Sequence, residues 1–238
     1  MKKILSMMLA LIMVFACVGC TGKTADSKEL SQKTLKGTWE ISINMQEILG
    51  SIDETGMMGD MDAAYMEDFR TDAVLTAYMV FDGKETVETM VNADDFIDVA
   101  KRLINDLFDF LKDGAIYDMM AEEGVDEETF NEMLGAEDMT VDDYIDAMKG
   151  MFDAMLTKEV LLEGGDNKVK GDYLVMNTGA YELDGNKIYL SDDGYVEVTY
   201  DGTDMTIVKI EVAEEEDLAG IENILPLTVK RVSDKVNY

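Results

Sequence analysis

The chain has 238 residues, with 51 acidic against 20 basic, no histidine, one proline, two cysteines and a formal charge of -31. The missing histidine excludes Ser-His-Asp and Cys-His catalysis, histidine-ligated zinc, iron or haem, and an imidazole pH switch. The acidic balance argues against nucleic acid as a partner, because proteins that bind phosphate backbones carry a basic face.

Residues 1–20 read as an export signal. Lys2 and Lys3 precede an apolar run from Ile4 to Ala16, which is short for a membrane span and has the length of a signal-peptide core. The run ends in Phe15-Ala16-Cys17-Val18-Gly19-Cys20. This resembles the lipobox of bacterial lipoproteins, with Cys17 standing where a leucine is usual and Ala16-Cys17 forming a second candidate site. The resemblance implies that Cys20 is diacylated and becomes the mature N-terminus. The partner is then a membrane, reached through an N-terminal diacylglycerol, and two acyl chains hold where one does not. The expected location is the outer face of a cell membrane, lipid-anchored, on a Gram-positive surface. A mature chain starting at Cys20 has no other cysteine and a charge of -33, since Lys2 and Lys3 are lost. Residues 21–34 are polar and without periodicity, and read as a tether.

The rest, 35–238, reads as one domain with two textures. Alternation of apolar and polar residues predicts strands at 37–45, 73–81, 85–91, 158–163, 170–176, 179–184, 187–191, 195–200, 203–212 and 225–232. Asp82-Gly83, Asp184-Gly185, Asp193-Gly194 and Asp201-Gly202 supply the positive φ angles of hairpin turns. Pro226 stands at the start of the last strand, where a missing donor costs least. Short antiparallel strands joined by tight turns predict an α+β fold built on an antiparallel meander β-barrel.

A helical insert at about 93–157 interrupts the meander after the third strand. Asn92 and Asp95 have the spacing of a capping box. Phe96, Ala100, Leu103, Leu107 and Phe110 then mark one helix face, which Gly114 ends. A turn through 116–120 and a brief helix carrying Phe130, Met133 and Leu134 follow. Thr140 and Asp143 cap a last helix bearing Tyr144, Ile145, Met148, Met151, Phe152 and Met155. The span 47–156 carries 30 acidic and 6 basic residues, and 158–238 carries 18 and 8, so the insert region holds most of the field.

Leu35-Lys36-Gly37-Thr38-Trp39-Glu40, opening the first strand, resembles the Gly-x-Trp signature of the lipocalin-like (calycin) barrels. In that family the tryptophan packs at the closed end against an arginine from the last strand, and Arg231 stands where that partner would lie. More broadly the chain resembles small lipocalin-like lipoproteins of gut Firmicutes, often of unassigned function. The resemblance covers 35–45, 73–92 and 158–232, and assigns barrel closure to Gly37, Trp39 and Arg231. Lipocalins usually carry a disulfide and no large helical insert, so here the insert stands where it could cover the ligand mouth.

No signature of chemistry accompanies the acidic residues. Asp60-x-Asp62 lacks the rest of an EF-hand loop, Met57-Met58-x-x-Met61 is too loose for a copper site, and neither Gly-x-Ser-x-Gly nor a glycine-rich phosphate loop occurs. The expectation is a protein without cofactor, metal or enzymatic activity. It would bind an apolar or amphipathic small ligand in the barrel and beneath the insert, at Phe96, Leu103, Met148, Met151 and Phe152. The alternative is a structural or protein-interaction module with a filled barrel, whose acidic insert meets a cationic protein or peptide. Tyr181, Tyr189, Tyr195 and Tyr200 lie on the later strands, and some of them must face inward.

Overall fold

The computed structural model describes residues 28–52, 68–122, 124–126, 128–130, 139–163, 168–191, 194–211 and 224–233. The export signal, both cysteines, the Met57–Met61 cluster, the helix expected around Met133 and the turn expected at Asp193-Gly194 lie outside these residues, Gly194 itself excepted. Ten strands form one antiparallel sheet: β1 (Gly37–Asn44), β2 (Val74–Phe81), β3 (Thr86–Asn92), β4 (Lys168–Lys170), β5 (Tyr173–Ala180), β6 (Glu182–Asp184), β7 (Lys187–Ser191), β8 (Gly194–Tyr200), β9 (Met205–Glu211) and β10 (Leu227–Ser233). Their order is β4-β5-β3-β2-β1-β10-β9-β8-β7-β6. The first and last long strands are therefore neighbours, with Trp39 opposite Arg231 and Ile41 opposite Val229.

The sheet is not a closed barrel, which corrects the expectation. β5 and β6 run in the same direction, because each is antiparallel to a strand that runs the other way. They are one strand broken at Tyr181: the upper half pairs with β3 and the lower half with β7. At the break the Tyr181 N–H donates to the Glu85 carbonyl at 2.7 Å and not to a strand beside it. β5 and β7 come close without a ladder, so that a Cβ on Gly179 would lie 3.9 Å from the Leu190 carbonyl oxygen. Register shifts at Thr38/Trp39, Thr89/Met90 and Glu197/Val198 mark bulges, which sharpen the curl of a sheet.

Three expected strand limits change. Residues 158–163 form a helix, not a strand: Thr157 Oγ1 accepts from the Val160 N–H at 3.3 Å, Leu161 is buried and Val160 is 51% exposed. Residues 170–176 are split by a turn at Gly171, placing β4 before it and β5 after it. β5 then continues to Ala180, so the break expected at 177–178 falls at Tyr181. The tether also ends earlier than expected. Lys28 N–H donates to the Tyr200 carbonyl at 2.8 Å, Leu30 is buried, and Ser31 and Thr34 cap the turn α1 (Gln32–Leu35) reciprocally.

The remaining helices sit at one end of the sheet. α2 (Met45–Ile52) follows β1 there, and α3 (Ala93–Phe110) starts directly after β3. Asn92 caps α3 by accepting from the N–H groups of Asp94 and Asp95, in place of the expected reciprocal box. A wide turn at 111–115 containing Gly114 leads into α4 (Ile116–Glu122). α5 (Val141–Met155) is capped by the expected Thr140–Asp143 box, and α6 (Lys158–Glu163) returns the chain to the sheet. α3 spans this end, from Ala93, whose N–H meets the Asp172 carbonyl, to Phe110, packed edge-on against Phe69 at 5.7 Å.

Candidate functional site

The sheet has two unlike ends, and the residues singled out in the sequence divide between them. At the end where β1 begins, Gly37 has φ 132, a conformation that glycine accepts without strain, and it turns the chain from α1 into the strand. Trp39 is fully buried and its Nε1–H donates to the Leu35 carbonyl at 2.6 Å. The Arg231 guanidinium lies 4.9 Å from the Trp39 ring centre and donates through Nη2 to the Lys36 carbonyl at 2.7 Å. Tyr200 packs edge-on to Trp39, with ring centres 6.4 Å apart. Gly37, Trp39 and Arg231 thus meet, and they plug this end.

Next to the plug, Tyr181 packs edge-on to Phe81 at 5.1 Å and is 1% exposed, yet its hydroxyl has no hydrogen-bond partner among the described residues. Burial, reinforced by Asp82 and Glu85, pushes its pKa up to about 12. The four tyrosines sort cleanly by register. Tyr181 and Tyr200 are buried, while Tyr189 and Tyr195, cross-strand partners, pack tilted on the outer face with ring centres 5.4 Å apart. There Lys187 lies 4.0 Å over the Tyr195 ring, and Lys209 bonds both the Tyr195 hydroxyl and Glu211.

At the helical end, Phe96 and Leu103 point into the core that Trp39, Ile41, Ile43 and Leu75 share, so the insert and the sheet have one interior. Phe152 is buried against Phe108 at 5.8 Å. Met148 is half-buried on the same core, and Met151 is 40% exposed. The five residues expected to line one ligand face therefore do not do so. Three are core, one flanks it and one meets solvent, because α5 rests on α3 and turns the face carrying Met151 and Met155 outward.

What this end presents is charge. Among side chains described in 45–52, 68–73, 93–130 and 139–163, 17 are acidic and 6 basic. Five of those six basic residues lie on the helices and the wide turn, and four of these tie neighbouring segments together. Lys112 reaches Asp146 at 2.8 Å, Lys149 reaches Asp109 at 3.1 Å, and Lys158 joins Asp94 and Asp172 at 2.6 and 2.8 Å. Arg102 pairs with Asp72. Their acidic partners are between 61 and 73% exposed, so these pairs clasp the helices from outside. At the opposite end, residues 28–36, 82–85, 182–187, 201–204 and 230–233 carry seven basic and seven acidic groups.

One carboxylate is held differently. Glu88, on the outer face of β3, is 9% exposed at its side chain and lies between Lys168, at 2.9 Å, and Lys170. Burial alone would raise its pKa, but the hydrogen bonds from Lys170 and Lys168 outweigh that and hold it below the usual range. With two ammonium groups and Thr178 beside it, this is a pinned ion triad. The sequence offered no signal for it, since Glu88 and the lysines are 80 residues apart.

No family model, curated protein or solved structure matches the chain.

Proposed function

We propose that the protein is a non-catalytic surface module, anchored by lipid at Cys20 and facing out of the cell, that binds a cationic protein or peptide through its helical end. The observation that carries this reading is the separation of roles at that end. Most apolar residues of the insert are used inside, against the sheet, and apart from Tyr117, Met151, Met155 and Val160 the described surface left to solvent is dense in carboxylates. Such a surface raises the local concentration of a cationic partner and speeds its association, without supplying chemistry. The barrel-like curl and the Trp39–Arg231 plug fit a lipocalin-like scaffold whose interior is filled.

A lysine nonapeptide titrated calorimetrically into the mature protein tests the reading. Binding is expected at low salt, weakening steeply as salt is raised. Asp98, Asp118 and Asp153 are exposed acidic residues on three different helices. Their triple change to asparagine should lower the affinity several-fold. Equal affinity in that variant would sink the proposal.

A second reading, transport of an amphipathic small ligand, is favoured by one observation. The buried hydroxyl of Tyr181, unpartnered among the described residues, is a hydrogen-bonding group that a bound polar atom could satisfy. A discrete added mass in the native mass spectrum of protein taken from cells would favour it over the first.

A further inference from the structure

The two ends of the sheet differ in a way that sets how an anchored molecule stands. The described helices at the helical end follow the tops of β1 and β3. Among side chains described in 45–52, 68–73, 93–130 and 139–163, 17 are acidic and 6 basic. The other end is charge-balanced, and it is also where the N-terminal segment is fastened. Lys28 donates to Tyr200, and its side chain runs over Gly202 so closely that a Cβ there would lie 2.2 Å from the ammonium. Eight residues further on, the Lys36 stem lies on Gly83, where a Cβ would come within 2.7 Å. The segment is thus fixed against both the β8–β9 and β2–β3 turns.

We infer that the anchored domain meets the lipid headgroups with this charge-balanced end, the face formed by residues 28–36, 82–85 and 201–204, and holds the acidic helices outermost. The inference rests on the anchoring at Cys20 proposed above. Its physical basis is length. From Cys20 to Lys28 the chain advances eight residues, which reach at most about 28 Å when fully extended. The eight residues of β1 rise about 26 Å, and a layer of helix adds about 10 Å. Turning the helices toward the bilayer would lift Lys28 about 36 Å above it, beyond the reach of the tether. Anchoring at Cys17 would allow it only with every residue stretched. Electrostatics acts in the same sense. An anionic headgroup layer repels the helical end, whereas in the upright pose that end stands several times the Debye length of about 8 Å away. The partner of the neutral face is therefore the bilayer surface itself, and the acidic face is left for whatever approaches from outside.

The test uses the full chain, lipidated in cells and reconstituted into phosphatidylglycerol vesicles. With Cys20 acylated and residues 1–19, Cys17 among them, removed, a single added cysteine carries a fluorophore without competition. Lys84→Cys and Thr203→Cys mark the balanced end, and Asp118→Cys and Ala147→Cys the helical end; all four positions are exposed. Energy transfer to an acceptor on the headgroups is expected to be strong at 84 and 203 and weak at 118 and 147. Equal transfer at both ends, or the reverse order, overturns the inferred pose. A mass spectrum of the mature N-terminus without diacylglycerol overturns the anchoring itself, so the two failures are told apart. The same order in neutral phosphatidylcholine vesicles is expected, since tether length imposes it, and its loss there overturns the length argument.

Discussion

Arg231 and Trp39 are register partners across β10 and β1, and the guanidinium sits 4.9 Å from the indole centre while bonding the Lys36 carbonyl. The pair joins the last strand, the first strand and the N-terminal turn in one contact. The Arg231 backbone N–H also donates to Asp204 Oδ1, on the β8–β9 turn, at 3.1 Å.

Truncating Arg231 to alanine should therefore cost about 1–3 kcal/mol, the sum of a stacking term and a lost charge-assisted bond. Arg231→Lys should recover only part of it, because an ammonium lacks the planar face and the fork. Urea unfolding of the two variants measures both. Equal stability of wild type and Arg231→Ala would mean that the plug is not held by this pair.

Tyr181→Phe tests the orphan hydroxyl. Removing an unpartnered buried group takes away its desolvation cost, so the variant should be as stable as wild type or up to about 1 kcal/mol more stable. A thermal melt decides this. A clear loss of stability would show that the hydroxyl is bonded in solution, for instance to a buried water.

Glu88→Gln leaves Lys168 and Lys170 without their counter-charge, and should lower stability at pH 7 by about 2 kcal/mol. The pKa of Glu88 is depressed in the fold. Its contribution is therefore present above the unfolded carboxylate pKa and disappears as pH falls through the depressed value. The gap between wild type and Glu88→Gln should accordingly close on acidification below about pH 4. Denaturation curves at pH 7 and pH 3 check the sign. A gap that widens in acid would refute the ion triad.

Salt should stabilise the helical end. Repulsion among its surplus carboxylates acts over distances beyond a few ångströms, while the Lys112–Asp146 and Lys149–Asp109 contacts are direct, at 2.8 and 3.1 Å. At 1 M salt the screening length is about 3 Å, which removes the long-range repulsion and spares much of the direct pairing. Hydrogen exchange of α3 and α5 should slow as salt rises from low values. Faster exchange would mean that the clasps, and not the repulsion, dominate.

The sequence by itself determined the things that depend on neighbours along the chain. Alternation along 37–45 and 195–200, the Asp-Gly turns at 82–83, 184–185 and 201–202, the start of α3 at Asn92 and the Thr140–Asp143 box all rest on contacts within four residues, and so could be read directly. The absence of histidine and the acidic surplus likewise need no coordinates. The helix at 158–163 was misread because Glu159-Val160-Leu161-Leu162 is too short for its period to separate helix from strand. The bend at Tyr181 was hidden for another reason. It is set by Glu85, nearly a hundred residues earlier, and it leaves the sheet open where alternation alone implied a barrel. Tertiary structure also decided which way Met148 and Met151 face, since only the packing of α5 on α3 says which side of an amphipathic helix is inside. It decided, finally, that the acidic segments following β1 and β3 meet at one end of the sheet. Composition gives a net charge, but strand order and direction say where in space that charge is gathered.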